Sequence, residues 1–203
     1  MSGLNKYAFP NWRMHEYDRA GNYAVMAEGY KIGAIRLLDS LLHNNVGHDA
    51  DAVIFPVLFD AHQSLELYLK ATSIAVEEAN DLNPWSAKVI RSHDLLELIG
   101  SLNSSLPSSE PKIALAKETK PLFDLIDLLK TVGDNGKGGY YFDFARYPEK
   151  QAGESYIFVR DDSLVFDLEG IKRVVADGCD FLDGYCAMWL ERVDGVRGMR
   201  AGV

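Results

Sequence analysis

Only two cysteines occur in the 203 residues, Cys179 and Cys186, in a stretch that reads as helix. Seven residues along a helix is about 10.5 Å of rise, too far for one S–S bond. A disulfide framework is thereby excluded, and a reducing compartment fits. Long apolar runs are also missing. No stretch approaches the roughly 20 residues of a membrane span, and the first twenty residues hold no apolar segment resembling a signal peptide. The expectation is a cytoplasmic protein with no membrane association.

Positive charge is scarce: 21 Lys and Arg stand against 30 Asp and Glu, for a net charge of −9. That balance argues against broad DNA or other non-specific nucleic-acid binding, which is driven by phosphate neutralisation. The one mildly basic stretch is the N-terminal third, with Lys6, Arg13, Arg19, Lys31 and Arg36. The five histidines (15, 43, 48, 62 and 93) show no paired ligand spacing, and no Cys-x-x-Cys accompanies them, so neither metal nor cofactor is expected. No Gly-x-Ser-x-Gly elbow occurs. The Gly-Lys-Gly-Gly run at 136–139 lacks the spacing and the following Ser or Thr of a phosphate loop.

What is present is an ordinary globular composition, 47% apolar and 25% charged, over a length that fits one domain spanning 1–203. Apolar residues recur at helical spacing over His15–His43, with Tyr23, Ala27, Tyr30, Leu37, Leu38 and Leu41 within about 60° of a line through Ala34. In the same helix Ile32 and Ile35 lie off that line. A second helix spans Val53–Ala79, with Pro56 near its start and Asp49 or Asp51 as N-cap. Ser92 reads as the cap of a third helix whose buried stripe is Leu95, Leu96, Ile99 and Leu102. After the turn-rich linker 105–111 comes Lys112–Lys130, interrupted by Pro121, which allows either two short helices or one kinked helix. Residues 133–139 read as a flexible loop. Residues 156–160 and 164–167, with Asp161 and Asp162 between them, read as a β-hairpin. Leu168–Val193 is the last helix, and 195–203 reads as a frayed tail. The expected fold is all-α: an antiparallel four- to five-helix bundle with a small β-hairpin insertion before the last helix.

Helix two carries the unusual polar residues. On a helical wheel His62 lies at the centre of the apolar face among Phe55, Leu58, Leu65 and Leu69. Glu66 lies about 40° away within that face and Lys70 at its margin, about 80° away. Each buried group left unsatisfied costs roughly 1–3 kcal/mol, so both need partners. Arg146, in the aromatic segment Tyr140–Tyr147, is the expected cation for Glu66, its guanidinium suiting a part-buried carboxylate. Such a cluster of His62, Glu66 and Arg146 either fixes helix register and docks a loop, or forms a ligand or catalytic site. The aromatics around Arg146 either stack bases or pack on the helices.

The runs Ala-His-Gln-Ser-Leu-Glu-Leu-Tyr-Leu-Lys-Ala (61–71), Ser-His-Asp-Leu-Leu-Glu-Leu (92–98) and Phe-Ala-Arg-Tyr-Pro (144–148), in this order, resemble HEPN proteins, the higher-eukaryote and prokaryote nucleotide-binding domains. The resemblance spans about residues 20–190 and implies a helical bundle, often a homodimer. It carries over His62, Glu66 and Lys70, then His93 and Asp94, then Arg146 and Tyr147, as a polar or binding cluster. Many members are metal-independent RNases of toxin–antitoxin or anti-phage systems, and others are non-catalytic partners. Catalytic members pair an Arg with a His four to six residues on. Here no His follows Arg146, and the one formal match, Arg36 to His43, lies on the outward side of helix one. The resemblance therefore implies a module that binds a protein partner or RNA rather than an enzyme. The alternative is an RNase with a non-standard site drawn from Arg146, His62, Arg36 and His43.

Overall fold

The computed structural model of the chain describes residues 6–82, 90–114, 116–133, 142–147, 149, 153, 155–156 and 165–201. Five α-helices run through them: α1 (Arg19–His43), α2 (Ala50–Ala79), α3 (Leu95–Ser105), α4 (Lys120–Gly133) and α5 (Leu168–Ala201). The protein is predominantly helical, as its periodicity implies, and one hydrophobic cluster draws residues from all five helices.

α2 is the central element. From Ala61 to Glu77 every residue except Gln63 is buried, a burial all round the cylinder that marks a helix enclosed by neighbours rather than one with a wet face. α1, α3, α5 and the 3-10 turn Phe142–Ala145 all pack against it, and α5 also contacts α1 and α4. α1 fits this role through small inward residues: Ala20, Ala27 and Ala34 are fully buried beside Leu38. Lys31 fastens α1 to α5 by ion pairs with Asp180 and Asp183.

Several boundaries differ from the sequence expectation, each for a local reason. α1 begins at Arg19, not His15, because Asp18 is its cap and accepts from the Gly21 amide at 3.2 Å. α2 begins at Ala50 with Pro56 inside it. Its start is satisfied by Asn45, whose side-chain oxygen accepts from the Ala50 amide at 2.9 Å, while Asp49 holds the cap position without a side-chain bond. Asp94, not Ser92, caps α3, accepting from the Leu96 and Glu97 amides. Ser92 instead donates to the Glu97 carboxylate. α4 starts just before Pro121, which occupies the first turn where a missing amide costs nothing.

The last helix is longer than the expected Leu168–Val193: α5 continues through Ala201, into the segment read as a tail. Arg197 ties this extension to Glu78 of α2 at 2.7 Å, a long-range contact that helical periodicity does not reveal. The β-hairpin is not supported. Tyr156 and Val165–Asp167, at its ends, are not strand, and 157–164 lie outside the described residues. Among the described residues β pairing is confined to one antiparallel bridge, Glu149 with Ser155. A two-stranded ribbon alone has too little to pack against to be stable. Of the loop at 133–139, Gly133 ends α4 and the rest lies outside the described residues. No helix among the described residues is long and apolar enough to cross a membrane.

α4 and α5 meet at Gly178, where a methyl group would stand 3.1 Å from the Pro121 carbonyl oxygen and 3.3 Å from Leu125. Gly184, further along the same helix, has open space at that position. In a helix interior, alanine is favoured over glycine by about 1 kcal/mol. Gly184→Ala should therefore stabilise the protein by up to about 1 kcal/mol in urea denaturation. Gly178→Ala should destabilise it, because a backbone carbonyl cannot yield as a flexible side chain can. Equal effects at the two sites would show that α4 and α5 are not in close contact there.

Candidate functional site: the polar cluster of α2 and the α3 cap

One turn apart on α2, His62, Glu66 and Lys70 face the segment that enters α3. Glu66 is 3% and Lys70 4% exposed, and His62 is fully buried. Lys70 Nζ donates to Glu66 Oε1 at 2.7 Å. On the other oxygen, Glu66 Oε2 lies 2.9 Å from His93 Nδ1. A carboxylate only accepts, so that nitrogen carries the hydrogen. His62 Nδ1 stands 3.9 Å from the same oxygen, and its ring is also held toward the His93 backbone. Glu66 therefore grips the His93 side chain while His62 meets its main chain.

The neighbouring Asp94 caps α3, so the His-Asp dipeptide at 93–94 is a two-sided clasp: the imidazole reaches back to α2 and the carboxylate starts the next helix. Lys70 takes a place beside Glu66 that the wheel assigned to a helix margin. Because α2 is enclosed on all sides, the margin is interior too, and the Glu-to-Lys spacing of four residues puts the ammonium against the carboxylate.

Arg146 does not join this cluster as expected. Its guanidinium forms an ion pair with Asp143, three residues back across the 3-10 turn, and lies 5.5 Å from the centroid of the Tyr147 ring. The nearer carboxylate wins because it lies in the same turn and needs no reach into the interior. Arg146 still stands close enough to disfavour a proton on His62. Its side chain and Tyr147 are more than half exposed, and His93 more so, with 71% of its side chain in solvent. Asp143 is the partner that sequence reasoning missed, and its signal was the three-residue spacing to Arg146. Of the aromatics in that segment, Phe144 is buried, whereas Tyr140 and Tyr141 lie outside the described residues.

The remaining candidates stand apart. Arg36 and His43 are both exposed on the outward side of α1. Cys179 and Cys186 are buried free thiols, and burial pushes each up to about 11, which removes them as nucleophiles near neutrality. Burial, first of all, and then the positive groups His93, Lys70 and Arg146 push His62 down to about 3, outweighing the His93 backbone, which favours the proton. His62 is thus a neutral imidazole in the folded protein.

Comparison of the chain with protein-family models, with characterised proteins and with solved structures finds no significant match.

Two outcomes follow from this geometry. Removing one member of a buried pair strands the other, at about 3–5 kcal/mol. Lys70→Met should therefore cost about 3 kcal/mol in urea unfolding, and the double variant Glu66→Gln/Lys70→Met should cost less than that single change. Lys120→Met, at the exposed pair with Asp124, should change stability by less than about 1 kcal/mol. Equal losses for Lys70→Met and Lys120→Met would refute a buried charge at Glu66.

The second outcome concerns acid. The unfolded chain protonates His62 near 6.5, whereas the folded protein resists until about 3. The contribution of the neutral ring is fully present above about pH 6.5 and is lost as pH falls from there toward 3. The slope is about 1.4 kcal/mol per pH unit. His62→Leu should lose stability less steeply than the wild type between those limits. Parallel curves would mean that His62 titrates alike in both states.

Proposed function

We propose that the chain is a HEPN-like module, an antiparallel helical bundle acting as a homodimer. It binds RNA, a nucleotide or a protein partner without cleaving its ligand, in a bacterial stress, toxin–antitoxin or phage-defence setting. The observation that carries this reading is that the polar cluster is closed on itself. Glu66 is shared between Lys70 and His93, His62 is neutral and buried, and Arg146 is engaged by Asp143. No arginine–histidine pair of the RNase kind forms around Arg146. What faces outward is an imidazole, a guanidinium and a phenol ring at His93, Arg146 and Tyr147, a set suited to holding a phosphate and a base. The helical architecture and the order of the three motifs along the chain support the same family reading.

One observation favours the second reading, an RNase of HEPN toxin type with a non-standard site. A carboxylate that fixes Nδ1–H of an exposed imidazole is the arrangement that readies its other nitrogen for proton transfer, and Glu66 stands in that relation to His93.

RNA cleavage by the purified protein, measured beside binding of a nucleoside triphosphate, separates the two. The expected result is no cleavage across several RNAs, and nucleotide binding that Arg146→Ala weakens by about tenfold, as loss of a charge-assisted bond implies. Cleavage abolished by His93→Gln, His62→Ala, Arg146→Ala or Arg36→Ala, with the fold intact by circular dichroism, would establish the RNase reading instead.

A further inference from the structure

The seam between α1 and α2 holds a carboxylate with no cation of its own. A methyl group on Gly33 of α1 would stand 2.7 Å from the Asp60 carboxylate of α2. Beside that contact Tyr30 meets Phe59 edge to face, with 6.3 Å between ring centroids. Asp60 is thus packed against the neighbouring helix and only partly exposed. Burial raises its carboxyl above the usual range, and no positive group offsets the effect.

Arg36, one turn along α1 from Gly33, is the complementary case. It is exposed, and among the described residues no carboxylate pairs with it. Within one copy it is Gly33, not Arg36, that faces Asp60. The surroundings hold no other charge. From Met26 to Ser40 on α1 and from Ala52 to Gln63 on α2, every other residue within about 60° of the Gly33 or Asp60 line is uncharged. Met26, 45% exposed, and Pro56 give this outer side apolar surface. At Gly29, on the same side, an added methyl would meet nothing within 4 Å, so another backbone has room to come close.

The face is complementary to itself. In a twofold interface each residue of a patch meets a different residue of the same patch, and every contact occurs twice. With the axis between Arg36 and Asp60, both unpaired charges of both copies are satisfied at once. A partner of different sequence would need one acid and one base placed to match. A second copy carries them already.

We propose that the α1–α2 seam is the surface through which two copies of the chain associate, with Arg36 of each copy paired to Asp60 of the other. This rests on the homodimer of the preceding proposal and assigns its interface.

Sedimentation equilibrium of the whole chain tests it. The wild type should be a dimer. Arg36→Asp and Asp60→Lys should each weaken association by about tenfold or more, because each change sets like charges together at two places. Mixed in equal amounts, the two variants should associate again, since every such contact in the mixed dimer then joins opposite charges. Gly29→Gln carries the test if Asp60→Lys does not fold: it should keep the wild-type circular dichroism and still weaken association. A wild-type dimer that Arg36→Asp and Gly29→Gln leave intact would overturn this surface while the homodimer stands. Two weakened variants that mixing does not restore would also overturn it, by showing that the changes act within each copy. A wild-type monomer would overturn both the surface and the homodimer, leaving the nucleotide-binding reading to its own test at Arg146.

Discussion

Glu66 is the constraint on which the neighbouring structure depends. It is a carboxylate on a helix enclosed from every side, and a buried charge is tolerable only when both oxygens are engaged. Lys70, one turn along, takes the first oxygen without any demand on the rest of the fold. The second oxygen, 3.9 Å from the neutral His62 ring, finds its hydrogen bond at the surface-exposed His93. That requirement positions the turn before α3, and Asp94, as the next residue, starts α3 where the turn leaves it. The start of α3 is thus tied to α2 by one side chain, beside the apolar packing of Leu95, Leu98, Ile99 and Leu102. A buried ion pair adds little net stability against an apolar pair of the same shape. Its value here is that it penalises any other placement of the His93 turn.

The enclosure of α2 also determines where recognition can occur. The most polar stretch of the core, His62 to Lys70, reaches solvent through the His93 ring, so a ligand at that place would meet His93. Elsewhere, α1 shows Arg36 and His43 outward. Stability is concentrated in α2 and its partners, and the exposed chemistry sits on elements whose side chains can change at little structural cost.

The helices were legible in the sequence because their buried stripes repeat at 3.6 residues: Leu95, Ile99 and Leu102 in α3, and Leu122, Leu125, Ile126 and Leu129 in α4, are buried as a helical period requires, whereas Leu96, expected in the α3 stripe, is 41% exposed. The buried polar pair His62 and Glu66 of α2 was legible as well, since both fall within an apolar face. The partner of Glu66 was harder to read. A helical wheel assumes one buried side and so leaves Lys70 at an edge, whereas the enclosure of α2 depends on how four other elements pack. Arg146 was matched to the distant carboxylate because a wheel says nothing of a 3-10 turn, in which Asp143 lies within reach. The extension of α5 through Gly195 and Gly198 ran against local propensity. It is supported by Arg197 on Glu78, a contact between residues far apart in the chain.

A net charge of −9 and a phosphate-bearing ligand stand in tension, and the distribution of partners resolves it. Several cations of the described residues are occupied, among them Lys31 by Asp180 and Asp183, Lys70 by Glu66, Arg146 by Asp143, and Arg197 by Glu78. Long-range attraction of a polyanion is correspondingly weak, since each such pair is nearly neutral at a distance of one screening length, about 8–10 Å. Recognition of such a ligand would therefore have to come from short-range contacts.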